Sequence, residues 1–448
     1  MIQINPREVA VDALLEILQE GAYNNMVLRK VLRQNGAMQQ KDKALVTEMV
    51  NGTLRNLYYV DYVINQFSKT KTEKMKPLIL AVMRLSVYQM MFMNIPDSAA
   101  CNEGVKLVES RGYRQLKGFA NGVLRTIGRE KDKISLPDEN TAEYLHVVYS
   151  HPLWLVKMWI AYYGFEETKA ICIANNKAPD VSISVNTLKI STEELTKRFE
   201  KRGIQVKPGM YADDALHLKG SADLGRMEEF TKGYFHVQDE SSQLAVKILD
   251  PQKGESILDL CAAPGGKSFT IAKTMENTGK VVSGDIYEHK IELMADGANR
   301  LGYTIVQPTL QDATVWNDAY VESFDRVLVD APCSGFGLIG KKPDIRLKKS
   351  GVEIDDLVPV QKDILENAGR YVKAGGVLVY STCTLSRKEN EKNVEWFLAN
   401  NEDFVAEDIS EYIPKEWSVE TAKAGYIALL PHISGTDGFF VSKLRRKG

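Results

Sequence analysis

Cysteine is scarce in this chain: five residues in 448. Cys101, Cys172, Cys261, Cys333 and Cys383 are odd in number and far apart, with no Cys-x-x-Cys pair. That argues against a disulfide framework and against a zinc site. Long apolar runs are also missing. The most apolar stretch, residues 78–93, carries Arg84 and Gln89. It falls short of the roughly 20 residues that cross a bilayer, so it reads as a buried helix. The opening Met1-Ile2-Gln3-Ile4-Asn5-Pro6-Arg7-Glu8 lacks the apolar core of a signal peptide. A reducing cytoplasm is the expected compartment. Internal repeats and low-complexity segments are absent.

Net charge is small as well, at −2, but it is unevenly spread. Residues 1–133 hold 20 Lys and Arg against 13 Asp and Glu, a balance of +7, which leaves −9 on the remainder. A basic module on an acidic body points to a polyanionic partner, most simply nucleic acid. A solvated helix surface that happens to be basic accounts for the charge equally well. A hydrophobic content of 44% and a charged content of 26% are those of a soluble globular protein. The length calls for two or three domains.

Apolar residues at helical spacing begin at Val9, Ala13, Leu14, Ile17 and Leu18 and recur over 42–50, 56–67, 77–93, 102–109 and 119–127. Pro77 suits the first turn of its helix. Tyr58, Tyr59, Tyr62 and Tyr88 could stack on RNA bases, but at helical spacing most of them are expected to pack. A polar stretch at 137–141 reads as a linker. Beyond it, 154–163 reads as a helix, 181–186 as a strand, 191 onward as a capped helix, 234–237 as a strand and 241–249 as a helix. From residue 254 strands and helices alternate. Strands are predicted at 256–260, 281–284, 305–306, 326–329, 377–380 and 439–444, and helices at 266–274, 289–301, 357–372 and 389–400. This alternation implies a mostly parallel, doubly wound sheet.

Three segments fall just beyond predicted strands. The first is Asp259-Leu260-Cys261-Ala262-Ala263-Pro264-Gly265-Gly266-Lys267, a glycine turn between a strand and a helix. Gly265 and Gly266 let the backbone approach a ligand. The turn lacks both GxGxxG spacing and a Walker lysine-threonine pair, so NAD and ATP fit poorly. Asp285 closes the next strand, where an acid can accept hydrogen bonds from ribose hydroxyls. Asp312 follows the third strand and could accept from an adenine amino group. Either aspartate alone could be forming a turn; their matching positions favour a nucleoside cofactor.

The second and third segments are Asp330-Ala331-Pro332-Cys333-Ser334-Gly335 and Tyr380-Ser381-Thr382-Cys383-Thr384. Cys101 and Cys172 are expected to be packing residues, and Cys261 to lie beneath the cofactor. Two thiols at the carboxyl rim of a parallel sheet suit covalent catalysis. Carbon C5 of cytosine is too electron-poor to attack a methyl donor directly. A nucleophile added at C6 makes C5 an enamine carbon, and a second weak base then helps to remove the C5 proton.

These motifs together resemble the RsmB/Sun/Fmu family, bacterial 16S ribosomal RNA cytosine-C5 methyltransferases with an amino-terminal NusB-like domain. The resemblance covers essentially the whole chain. It implies three domains: 1–135, NusB-like, all-α and RNA-binding; 145–235, a small α+β connecting RNA-binding domain; and 236–448, a Rossmann-like α/β methyltransferase domain. It implies S-adenosylmethionine as cofactor, held by Cys261, Ala262, Ala263, Pro264, Gly265, Gly266, Lys267, Asp285, Asp312 and Asp330. By the same resemblance Cys383, of the Thr-Cys motif, is the nucleophile. Cys333, of the Pro-Cys motif, aids product release, and Asp330 and Lys267 also hold the target base. The expected partner is small-subunit 16S ribosomal RNA; no membrane, no metal and no second copy of the chain are expected.

Two positions depart from the family pattern. Family members usually carry Arg before the asparagine where this chain has Ser184-Val185-Asn186, and a Trp often follows the segment Pro343-Asp344-Ile345-Arg346, where this chain has Leu347. Both are expected to touch RNA contacts. Lys341, Lys342, Arg346, Lys348 and Lys349 cluster after Cys333 and are expected to grip phosphates. Lys443, Arg445, Arg446 and Lys447 are weaker candidates. A transfer-RNA cytosine methyltransferase would share this chemistry. A non-catalytic NusB-like RNA-binding factor would leave the cofactor loop and both thiols unexplained.

Overall fold

A computed structural model describes residues 4–219, 224–415 and 420–448. Met1, Ile2 and Gln3, part of the opening segment read above, lie outside the described residues. The chain divides into two compact units, Met1–Lys177 with Ile339–Lys349, and Ala178–Leu338 with Ser350–Gly448. No helix among the described residues is long and apolar enough to cross a membrane.

The first unit is helical: α1 (Pro6–Gln19), α2 (Asn24–Gln34), α3 (Gln40–Arg55), α4 (Leu57–Phe67), α5 (Pro77–Phe92), α6 (Asp97–Ser110), α7 (Lys117–Glu130), α8 (Ala142–Val148), α9 (Leu153–Tyr163) and α10 (Phe165–Asn175). Helix α1 begins where Asn5 Oδ1 accepts from the Arg7 amide at 3.0 Å and Pro6 occupies the first turn. Helix α5 starts on Pro77 and is buried nearly all round, from Ile79 to Met90, as a central helix must be. Its one charge, Arg84, is matched by both oxygens of Asp61 at 2.6 and 2.7 Å. Gly52 of α3 leaves room for Tyr88 of α5; a Cβ there would fall 1.9 Å from the tyrosine oxygen. Tyr88 is thus a core residue, and Tyr62 donates to the Ser135 carbonyl at 2.9 Å.

The second unit holds two sheets. The first is antiparallel, in the order β2-β3-β1-β4. It comprises β1 (Val181–Val185), β2 (Gln205–Pro208), β3 (Ala215–Lys219) and β4 (Phe235–Val237), with helices α11 (Thr192–Lys201) and α12 (Glu228–Thr231) between strands. Ile183, Val185 and Phe235 of the sheet pack with Leu195 and Phe199 of α11. Ser184 lies on β1, fully buried, and its Oγ accepts from Lys273 Nζ at 2.7 Å. This corrects the expectation that Ser184 sits at an RNA contact: β1 is buried on both faces from Ser182 to Val185, so the face opposite Ile183 and Val185 is covered too.

The remainder runs α13 (Glu240–Leu249), β5 (Ser256–Asp259), α14 (Gly266–Thr274), β6 (Lys280–Asp285), α15 (Glu288–Leu301), β7 (Val306–Leu310) and β8 (Phe324–Asp330). After α16 (Ile345–Lys348), which belongs to the first unit, come α17 (Val352–Tyr371), β9 (Val372–Thr382), α18 (Glu391–Asn400), β10 (Phe404–Ala406), α19 (Glu420–Lys423), β11 (Tyr426–Leu429), α20 (Pro431–Ser434) and β12 (Phe439–Arg446). These strands form an eight-stranded sheet ordered β10-β12-β9-β8-β5-β6-β7, with β11 on β12. The five strands from β7 to β9 are parallel, and β12 runs against them, pairing antiparallel with β9, β10 and β11. Strand order reverses between β5 and β8. Open α/β sheets bind ligands at the carboxyl ends of strands beside such a reversal.

Candidate active site

The cofactor loop crosses the ends of β5 and its neighbours. Leu260 N donates to the Leu328 carbonyl at 3.0 Å, Ala262 N to the Gly284 carbonyl at 2.8 Å, and Gly265 N closes a turn onto the Ala262 carbonyl at 2.7 Å. Gly265 has φ +101°, and a Cβ there would lie 2.6 Å from the Phe269 ring. Cys261 packs beside the sheet core, and burial pushes its thiol up. Asp285, at the end of β6, accepts from the Tyr287 amide at 3.1 Å. Asp312, exposed just beyond β7, accepts from Thr314 N and Oγ1 at 2.9 and 2.7 Å. Under the loop, Asp259 is fully buried; its Oδ2 accepts from Ser268 Oγ at 2.7 Å, while Oδ1 has no partner. Burial raises this carboxyl to about 7. A glycine turn without Cβ bulk, an orphaned buried carboxylate oxygen and a carboxylate closing the next strand fit a cofactor that carries an ammonium and ribose hydroxyls.

The reacting groups lie on the two strands beside the reversal. Asp330 ends β8 in register with Ser381 of β9, and Ser381 Oγ donates to its Oδ1 at 2.8 Å. Lys267 Nζ donates to Asp330 Oδ2 at 2.6 Å and to Ser242 Oγ at 3.2 Å, and lies over the Phe439 ring. Burial works against the Lys267 ammonium, but the Asp330 carboxylate beside it outweighs that and holds its pKa up. The same parallel register brings Cys333 Sγ to 3.2 Å from Cys383 Sγ. The hydrogen bond to Cys383, followed by burial and the nearby Glu389 and Asp330 carboxylates, raises the Cys333 thiol well above its ordinary range. It is therefore protonated at neutral pH. All the residues singled out in sequence for the cofactor and the chemistry gather at one rim.

Several buried polar residues around the thiols escaped sequence reasoning. Glu389 accepts from Ser334 N at 2.8 Å, Ser334 Oγ at 2.6 Å and Gln361 Nε2 at 3.1 Å. Thr384 Oγ1 and Ser334 Oγ are 2.7 Å apart. Asn390 accepts from Thr382 Oγ1 at 2.5 Å and donates to the Thr384 carbonyl at 2.9 Å. Gln361, Glu389, Asn390 and Asn393 are all essentially inaccessible. The available signal was the polar run 386–393 in a domain otherwise alternating between strand and helix; a buried position cannot be told from a solvated one there without the fold.

For Arg346 and Lys348, two of the five basic residues after Cys333, the structure corrects the expectation. Residues 339–349 belong to the helical unit. Arg346 is 1% exposed and donates to the Arg55 carbonyl at 2.8 Å, the Ser150 carbonyl at 2.7 Å and Asn176 Oδ1 at 3.1 Å. Lys348 pairs with Asp344 at 3.1 Å, Asp344 accepts from the Asn24 amide, and Leu347 packs on the helical core. Arg346, Lys348 and Leu347 thus hold this segment in place and are not phosphate contacts, whereas Lys342 stays exposed. At the other end, Lys443 is buried against Glu407 and Tyr412, and Arg445 and Arg446 pair with Glu407 and Asp403. They belong to an ordered strand.

A doubly wound sheet with a glycine turn after one strand, an acid closing the next and two facing thiols just past the adjacent pair is the arrangement of the methyltransferase class. Comparison with known proteins agrees. The family model "16S rRNA methyltransferase RsmB/F" matches residues 246–445, "NusB family" matches 4–129, and the RsmF/B-like ferredoxin-like domain matches 151–225. The probable ribosomal RNA small subunit methyltransferase B of Bacillus subtilis (strain 168) is 40% identical over the whole of both chains. That of Escherichia coli O1:K1 / APEC, without the qualifier, is 32% identical over 99% of each. The crystal structure of PH0851 matches with a TM-score of 0.82 at 27% identity, covering 99% of this chain and 100% of that one. A methyltransferase homologue from Pyrococcus horikoshii gives 0.58 at 29% identity, over 67% of this chain and 97% of its own. The chain belongs to the RsmB family of ribosomal RNA small subunit methyltransferases, with a NusB-like domain, a ferredoxin-like domain and a carboxyl-terminal methyltransferase domain.

Proposed function

We propose that this protein methylates C5 of a cytosine in 16S ribosomal RNA, in the cytoplasm, through a covalent bond between Cys383 and C6. The observation that carries the reading is the 3.2 Å approach of two thiols at the carboxyl rim of the sheet, beside the glycine turn. S-adenosylmethionine, when bound, supplies the methyl group that C5 accepts. Residues 261–267 cradle it, Asp285 takes its ribose hydroxyls, and Asp312 takes its adenine amino group. Asp330 and Lys267 hold the target base, with the carboxylate accepting from an amino group and the ammonium donating to a ring acceptor. The domain limits 1–135, 145–235 and 236–448 go with this reading, the first two serving RNA.

The chain's own groups account for the proton movements. Cys333 keeps its proton in the resting protein, and Cys383 attacks as thiolate once its own proton has passed to water. Its electron pair forms the S–C6 bond and C5 becomes nucleophilic. Once that sulfur is bonded to carbon it is no longer an anion, and the largest influence holding the Cys333 proton is gone. Cys333 then gives its proton to water and, as thiolate, takes the one on C5. The C5–H electron pair forms the C5–C6 double bond and expels Cys383 as thiolate.

Replacing each cysteine with serine tests the roles. Cys383→Ser should abolish turnover and any adduct. Cys333→Ser should transfer the methyl group once and leave a methylated RNA–protein adduct that survives denaturing electrophoresis. An adduct in the Cys383 variant alone would reverse the assignment.

A further inference from the structure

Each thiol is followed by a hydroxyl residue, Ser334 after Cys333 and Thr384 after Cys383, and these two hydroxyls are bonded to each other at 2.7 Å. Above them sits Glu389, with no accessible surface. One carboxylate oxygen accepts from the Ser334 backbone amide, the other from the Ser334 hydroxyl. The hydroxyl proton of Ser334 is therefore committed to Glu389, and Thr384 must be the donor to Ser334. Gln361 adds a third hydrogen bond to the carboxylate and donates also to the Pro332 carbonyl, one residue before Cys333 at 2.9 Å. The Glu389 backbone is itself pinned, because its carbonyl accepts from Tyr380 of β9 at 2.7 Å and from Asn393 at 3.1 Å.

A buried carboxylate is costly to place unless its lone pairs are met by donors. Here it is met from the loop that carries Cys333, while its own backbone is bonded to the strand that leads into Cys383. Charge-assisted hydrogen bonds are short and directional, so they fix positions more tightly than apolar packing does. We infer, on the reading that Cys383 attacks and Cys333 releases, that Glu389 is the positioning residue that sets the spacing of the two thiols by clamping Ser334 against the end of β9. Without it the Cys333 loop keeps the backbone bonds from Ala331 to Ser381 and from Gly337 to Cys383, but Ser334 between them loses its charge-assisted partners. A displacement of about 1 Å at a reacting group can cost on the order of a hundredfold in rate. The loss should fall on release, since Cys383 directly follows the end of β9, which keeps its own pairing.

The test compares Glu389→Gln and Ser334→Ala with wild type and with Cys333→Ser, using full-length protein, 16S ribosomal RNA transcript and S-adenosylmethionine. Both variants should bind cofactor as wild type does and transfer a first methyl group. Multiple turnover should fall by about tenfold or more, and a methylated adduct should accumulate. A purely structural defect would lower both phases together and trap nothing. Ser334→Ala decides the matter if Glu389→Gln proves unfolded by its melting curve. If Cys333→Ser traps an adduct while the two variants turn over like wild type, the positioning role is wrong. If Cys333→Ser traps none, the reading beneath it fails, and the proposal with it.

Discussion

At the rim, Asp285 is the residue whose proposed role can be tested by itself. It is nearly buried, closes β6, and has one oxygen bound to the Tyr287 amide. Asp285→Ala should weaken S-adenosylmethionine binding by about 1–3 kcal/mol, the cost of leaving polar partners unpaired. Unchanged affinity by calorimetry would remove it from the cofactor site. Asp259 carries a different signature. Its carboxyl is raised from 3.8 to about 7 by burial, so the folded protein keeps a proton that the unfolded chain has lost. Stability from this group is present at low pH and is lost as pH rises from about 4 to about 7. Asp259→Asn should flatten that part of the stability profile, and an unaltered slope in denaturant titrations would contradict the burial argument.

At the scale of elements, the loop between β5 and α14 depends on Gly265. At φ +101° and with the Phe269 ring 2.6 Å from a would-be Cβ, Gly265→Ala should lower stability by about 1–3 kcal/mol and weaken cofactor binding. A wild-type melting temperature would show that the loop can relax. This loop was legible in sequence because glycine, strand and helix signals agree there. So were α5, by its unbroken apolar character, and β5, β6, β8 and β9, by their apolar runs. Strand β7 was seen only at its start, since Pro308 interrupts the pattern; on an edge strand a proline is tolerated. Strand β2, largely exposed and ending in Pro208, gave no alternation to read. Helix α2 is short, and its Val27, Leu28 and Val31 give a helical spacing that went unread. At the site, the thiols and aspartates were visible from motif spacing. The buried Glu389 cluster and the inward turn of Arg346 were not, because charge is read as exposure until the partners that bury it are known.

At the scale of the molecule, the segment 339–349 leaves the methyltransferase unit six residues after Cys333 and belongs to the helical unit, where Arg346, Asp344 and Lys348 find their partners. The amino-terminal helices therefore also hold this segment, besides the RNA binding proposed for them. A chain starting near residue 140 should become open to proteolysis within 339–349, which the full chain protects; equal protection would show that these bonds are dispensable. The excess of +7 over residues 1–133 should make RNA binding by the full chain fall with rising salt. The central claim, methylation of a ribosomal RNA cytosine at C5, is tested most directly by bisulfite sequencing of ribosomal and transfer RNA from cells with and without this gene. One cytosine of 16S ribosomal RNA should lose its protection from conversion when the gene is absent and regain it with the wild-type protein but not with Cys383→Ser. Unchanged ribosomal RNA, or a change confined to transfer RNA, would contradict the account.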